Sequence, residues 1–190
     1  HYTMRVLIAA IACAPKGGSE GYVGWSSVNA ISMDHEVHVI TSRAHQKEIE
    51  AELATHPRRS SISFSFIGEP VQWHENRLIA RAQSWMLYRR WVKQASEAAC
   101  RLCAEEHFDV LHHITYATWR MGTPLSGLGK PFIFGPVGGG EKFPLSFLKM
   151  LSPLSMLFEL LRGASNWLAT KNKRVVNSIS TASLLLANNR

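Results

Sequence analysis

Residues 5–31 read RVLIAAIACAPKGGSEGYVGWSSVNAI, and the order of textures within them decides the fold. The run from Arg5 to Ala12 is short and densely apolar, as a strand buried on both faces requires. Four glycines follow, Gly17, Gly18, Gly21 and Gly24, around a single acid, Glu20. From Val23 to Met33 the spacing turns helical, with Val23, Val28 and Ile31 as expected core contacts. Strand, glycine loop, helix is the opening of a βαβ unit. A tight turn needs one or two glycines, so four imply an unusual bend or a close approach by something else.

The same alternation continues outward. HEVHVITS, residues 35–42, reads as a second strand, residues 45–54 as a helix, and SISFSFIG, residues 61–68, as a cleanly alternating third strand. A long helical pattern with a break runs over residues 76–106. FDVLHHIT and KPFIFGP supply strands four and five. Residues 145–182 read as two helices meeting near 162–165, and SLLLANN as a sixth strand. Strands alternating with helices predict an α/β, Rossmann-like, doubly wound and mostly parallel sheet of six or seven strands, with helices on both faces. Ligands of such sheets sit beyond the carboxyl ends of the strands. The glycine loop, HHITY and GPVGGGE all fall at those ends.

Composition bounds the partners. The chain has 190 residues, enough for one domain with its own core. Lys and Arg total 21 against 14 for Asp and Glu, a formal charge of +7, which suits phosphates, nucleic acid or a membrane surface, or serves solubility alone. No recognition helix, RNA-binding or zinc-finger signature is present, so nucleic acid is not an expected partner. Cys13, Cys100 and Cys103 form no zinc-ligand set and read as buried thiols. No metal is expected, because no Asp-x-Asp-like pair follows a strand. Met4 is the expected native start. No signal peptide or membrane-spanning run is evident, and a cytoplasmic location follows as the expectation.

The loops carry the candidate chemistry. Gly17, Gly18 and Gly21 would let backbone N–H groups approach an anion at a helix N-terminus. GGSEGYVG lacks the GxGxxG spacing, and the second strand ends without an acid for a ribose, which argues against NAD. Glu20 is either a helix-capping acid or a contact for a sugar hydroxyl or cation. In DVLHHIT, His112 shares a strand face with Ile114, and His113 with Leu111 and Thr115. Either His could act as a base or bind a hydroxyl. Tyr116, Trp119 and Arg120 add an aromatic and cationic rim. Gly138, Gly139 and Gly140 allow a tight second loop, with Glu141 as an acceptor.

Taken together, ACAPKGGSEGYVGW, DVLHHITYATWR and GKPFIFGPVGGGEKFP resemble the N-terminal domain of the GT4-type, group 1, retaining glycosyltransferases with the GT-B fold. The resemblance implies an enzyme that moves a sugar from a nucleotide-diphosphate donor to a glycan or lipid-linked acceptor, without a cofactor. Residues 4–190 would be its acceptor-side domain. The nucleotide-binding C-terminal domain, with its Glu-x7-Glu motif, would be a missing partner, and the isolated domain would be inactive. Gly17, Gly18 and Gly21 would face the donor phosphates. Glu20, Thr115, Arg120, Gly138, Gly139, Gly140 and Glu141 would line the sugar and acceptor site. Relatives carry His-x-His after the fourth strand; here a strict match puts Ile114 at the second position, and His113 is taken as the catalytic candidate. Two segments have the basic, aromatic and apolar make-up of peripheral membrane helices: RLIARAQSWMLYRRWVKQ, and the run from Pro144 to Arg174. Peripheral contact with the inner face of the membrane is therefore a further expected partnership, against packing on the sheet or on the missing domain.

Overall fold

The computed structural model describes residues 2–16, 18–69, 77–141 and 150–188. Its strands are β1 (Arg5–Ala10), β2 (Glu36–Ser42), β3 (Ile62–Ile67), β4 (Val110–Thr115), β5 (Phe132–Val137) and β6 (Leu184–Ala187). All pair in parallel, in the order β3-β2-β1-β4-β5-β6. The Rossmann-like α/β fold expected from the alternation is therefore present, with six strands among the described residues.

Strand β1 lies at the centre of the sheet and from Val6 to Ala10 is buried on both faces, which explains its unbroken apolar run. Leu7 and Ala9 join the layer under helix α3 (Arg77–Glu105), where Tyr88, Trp91, Val92 and Ala95 are buried. Val6, Ile8 and Ala10 face the other layer, with Trp25 and Val28 of helix α1 (Ser19–Ile31) and Ile49 of α2 (Gln46–Thr55). Right-handed crossovers require this division, because the chain moves one way from β1 to β3 and reverses at β4. Burying each large apolar side chain of these layers contributes about 1.5–3 kcal/mol. The reversal leaves a switch point between β1 and β4, where parallel sheets open a ligand crevice.

Several local expectations are corrected. Helix α1 begins at Ser19, and Val23 points outward while Gly21 and Gly24 face the core. Only Ile62 of β3 is fully buried, as suits an edge strand; Ser63 and Ser65 instead hydrogen-bond the two ring nitrogens of His38, at 2.9 and 2.8 Å. Helix α3 is continuous. The boundary expected at 162–165 falls at Asn172, which ends α4 (Pro153–Lys171) and caps α5 (Lys173–Ser180) by accepting from the Arg174 N–H at 3.0 Å. Gly163 has open space around it and does not break α4. Cys100 is exposed rather than buried. Among the described residues no helix is long and apolar enough to cross a membrane.

Candidate functional site

At the carboxyl edge of the sheet, the loops that leave β1, β4 and β5 are tied to one another. The Thr115 hydroxyl at the end of β4 donates to the Ala12 carbonyl at 2.9 Å and accepts from the Ala12 N–H at 3.1 Å. The Glu20 carboxylate, in the first turn of α1, accepts from the Ala117 N–H at 3.3 Å. Glu20 thus bridges two loops 97 residues apart instead of capping its own helix. Partial burial pushes its carboxyl above the usual carboxylate range, and the Ala117 hydrogen bond opposes that rise. Next along the edge, Gly138 donates to the Ala117 carbonyl at 3.0 Å.

The glycines divide by what surrounds them. A Cβ on Gly24 would overlap the Ala12 carbonyl oxygen, so this glycine lets α1 press against the backbone leaving β1. Gly21 lies against Ala14, whose Cβ is 3.2 Å from where its own would stand, and accepts the Ala14 N–H at 3.0 Å. The side on which a Cβ would stand is turned to the protein body. Gly18, the N-cap of α1, has open space where its Cβ would be, and no side chain caps the helix there. Gly17 lies outside the described residues.

In the second loop Gly139 has φ +90°, a conformation side chains disfavour, and the Arg120 guanidinium lies across it, 3.2 Å from the Cβ position. Gly140 is similarly close to the Trp119 indole nitrogen, at 3.3 Å, and that nitrogen is buried without a hydrogen-bond partner among the described residues. The Gly139 N–H donates to the Glu141 carboxylate at 3.0 Å. Arg120, Gly138, Gly139, Gly140 and Glu141 therefore do come together, half-exposed or exposed, at one corner of the edge.

The histidine pair behaves differently. The predicted alternation holds from Leu111 to Ile114, but the pairing with β1 then shifts and sets Thr115 opposite Ala10; His113 packs edge-on against Phe134, while His112 donates from Nε2 to the Gly135 carbonyl at 2.9 Å. His113 is 0% exposed, and its Nε2 donates to the Tyr116 carbonyl at 3.0 Å. Since a carbonyl only accepts, the proton sits on Nε2, and Nδ1 is left buried without a partner. Burial holds the ring neutral, with its pKa lowered to about 4. His113 is thus enclosed, with its Nε2–H holding the Tyr116 carbonyl at the end of β4. Thr115 is likewise buried, with its hydroxyl engaged on both sides.

Two contributors escaped sequence reasoning. Tyr88 of α3 is fully buried, lies 5.0 Å ring-to-ring from Tyr116, and donates its hydroxyl to the Gly122 carbonyl at 3.2 Å. Of the two readings of RLIARAQSWMLYRRWVKQ, a membrane face or packing within the protein, packing holds for Tyr88 and Trp91, which are core. Asn188, just past β6, lies beside Gly138. Both are long-range partners with no local signal. Among the described residues no group of three metal-ligating side chains is present. A cavity of about 150 Å³ lined by Arg5, His38, Ser63 and Phe108 lies at the amino ends of the strands, away from these loops.

Compared with known proteins, the sequence matches no family model and no curated protein. Among solved structures, the chain superposes on UGT89C1 of Arabidopsis thaliana, crystallised with UDP, with a TM-score of 0.52 and 12% identity, over 99% of this chain and 45% of that one. SsfS6, a glycosyltransferase of Streptomyces sp. SF2575, is similar over 69% of this chain and 38% of its own, at 17% identity and a TM-score of 0.38. At such identities the likeness to UGT89C1 shows the shared Rossmann-like fold. The chain spans less than half the length of that structure.

Proposed function

We propose that residues 4–190 form the acceptor-side domain of a retaining, GT4-like glycosyltransferase of the cytoplasm. It would transfer a sugar from a nucleotide-diphosphate donor to a glycan or lipid-linked acceptor, and would need a second, nucleotide-binding domain for turnover. The observation that carries this reading is the linkage of the β1, β4 and β5 loops at the switch point, through Glu20 to Ala117 and Gly138 to Ala117. A fold shared with a UDP-bound protein supports it.

In this reading Gly18, with open space before the uncapped N-terminus of α1, presents backbone N–H groups to the donor diphosphate, together with Gly17. Arg120, Glu141 and the glycines 138–140 contact sugar or acceptor hydroxyls. Glu20, Thr115, His113 and Gly21 are positioning residues that hold the wall. Such a wall suits front-face displacement, in which the donor's own phosphate assists and the protein stabilises the developing charge. The alternative is a non-catalytic sugar- or nucleotide-binding module. The burial of His113 and Thr115, each hydrogen-bonded to backbone within the protein, favours it.

A screen of nucleotide sugars with the complete natural protein separates the two. Transfer is expected, and Gly18→Trp should lower turnover about a hundredfold or more while acceptor binding persists. Binding of a nucleotide sugar without hydrolysis or transfer would establish the module. Unchanged turnover in Gly18→Trp would remove the phosphate-loop assignment.

A further inference from the structure

Each of the three glycines after β5 faces a side-chain nitrogen. The place of a Cβ on Gly138 lies 3.4 Å from the Asn188 amide nitrogen. The same place on Gly139 is 3.2 Å from an Arg120 guanidinium nitrogen, and on Gly140 it is 3.3 Å from the Trp119 indole nitrogen. Of the three, only Gly139 needs its glycine for backbone conformation, with φ +90°. At Gly138 and Gly140 a side chain would instead press on a donor and cover it. The donors come from both neighbours of the loop. Trp119 and Arg120 belong to a short turn after β4, where Thr118 bridges to Gly138. Asn188 follows β6, where its backbone N–H donates to the Val137 carbonyl at 3.0 Å.

These donors lack acceptors. Among the described residues the Trp119 N–H is buried and unpaired, and the Arg120 guanidinium and Asn188 amide make no hydrogen bond or ion pair. Arg120 is half-buried and laid against the loop, and a charge partly withdrawn from water is ordinarily paired. Glu141, an acid at the same corner, accepts the Gly139 N–H at 3.0 Å. Donors in excess call for a charged acceptor. A guanidinium fork binds a carboxylate or phosphate through parallel hydrogen bonds, a match that a single neutral hydroxyl does not offer. The Asn188 amide and the Glu141 carboxylate suit the hydroxyls of a sugar that carries such a group. A carboxylate from a second domain would satisfy Arg120, but it would leave Asn188 and the bare positions 138 and 140 unexplained.

We propose that the acceptor is an acidic sugar, whose carboxylate or phosphate is held by Arg120 and Asn188 over the Gly138–Gly140 loop. The inference rests on the acceptor-side reading of this domain and adds to it the charge of the acceptor.

Calorimetry of the complete natural protein with glucuronic acid, glucose 6-phosphate and glucose tests it, beside transfer assays that offer the same sugars as acceptors. At least one acidic sugar is expected to bind about tenfold or more tighter than glucose, and which one does so names the acid group. Arg120→Gln should weaken that binding by about tenfold or more, and Arg120→Lys should retain part of it. Asn188→Asp sets a carboxylate at the same corner and should also weaken it. Arg120 is half-exposed and Asn188 exposed, so an unchanged thermal midpoint verifies folding. Acidic sugars that bind no better than glucose overturn the proposal, as does wild-type affinity in Arg120→Gln. Loss of UDP binding in Arg120→Gln, with acidic-sugar binding intact, overturns it by assigning Arg120 to the donor phosphates. Arg120-dependent binding of an acidic sugar without transfer from any nucleotide sugar upholds the anionic site and removes the transferase reading. Transfer to neutral acceptors alone upholds the transferase and overturns the acidic acceptor.

Discussion

Helices α1 and α4 both connect strands of the same sheet, yet they are held by opposite means. Helix α1 buries Gly21, Gly24, Trp25 and Val28 in 13 residues, so closely that one of its glycines touches strand-exit backbone. Helix α4 fully buries only Ala169 in 19 residues and turns its leucines outward. The first helix is positioned by the fold, to within an atom's width, because the loop before it forms part of the candidate site. The second leaves its apolar arc exposed.

The largest effect that can break this comparison is a side chain at Gly24. Gly24→Val must push α1 off the Ala12 carbonyl and should destabilise the chain by about 3 kcal/mol or more in urea unfolding, the upper end for overpacking. A loss below 1 kcal/mol would show that α1 can slide. His113 sharpens the same region through pH. Its folded pKa, about 4, lies below the ordinary 6.5, so the unfolded state binds the proton more readily. Its neutral burial is fully tolerated above pH 6.5, and stability falls as pH drops from there towards 4, by about 3 kcal/mol from this group. His113→Phe should flatten that part of the stability–pH curve relative to wild type, and an unaltered slope would refute the buried neutral ring.

Thr115→Val leaves both Ala12 backbone groups without their partner and should cost about 2 kcal/mol. The same change would cost almost nothing if solvent reached Ala12. Gly139→Ala forces a side chain into positive φ and should cost about 1–2 kcal/mol. The smallest effect belongs to α4: Leu161→Gln should shift stability by no more than about 0.5 kcal/mol, as at a surface site. A loss as large as that of Thr115→Val would mean that Leu161 belongs to the core, and the contrast between the helices would collapse.

The sheet was legible because each strand carries a local signature: the buried run of β1, the alternation at His112 and His113, the strand-ending glycines. What was not legible depends on distant partners. Nothing near Glu20 announces that it bridges to Ala117, and nothing in WMLYRRW tells Tyr88 and Trp91, which are buried, from Trp85, which is not. The boundary expected at 162–165 includes Gly163, yet an exposed glycine costs a helix only about 1 kcal/mol, and the helix stops at the Asn172 cap. The candidate loops were found by position at the strand ends. Their division of labour, with Gly21 and Gly24 packing and Gly18 open, required the backbone around them.

The central claim is that the loops after β1, β4 and β5 form one ligand wall. Hydrogen exchange on the complete natural protein, with and without a saturating nucleotide-diphosphate sugar, tests it most directly. The account predicts new protection together at residues 18–22, 116–121 and 138–141. Protection confined to the amino ends of the strands, around His38 and Ser63, or to only one of the three loops, would contradict it.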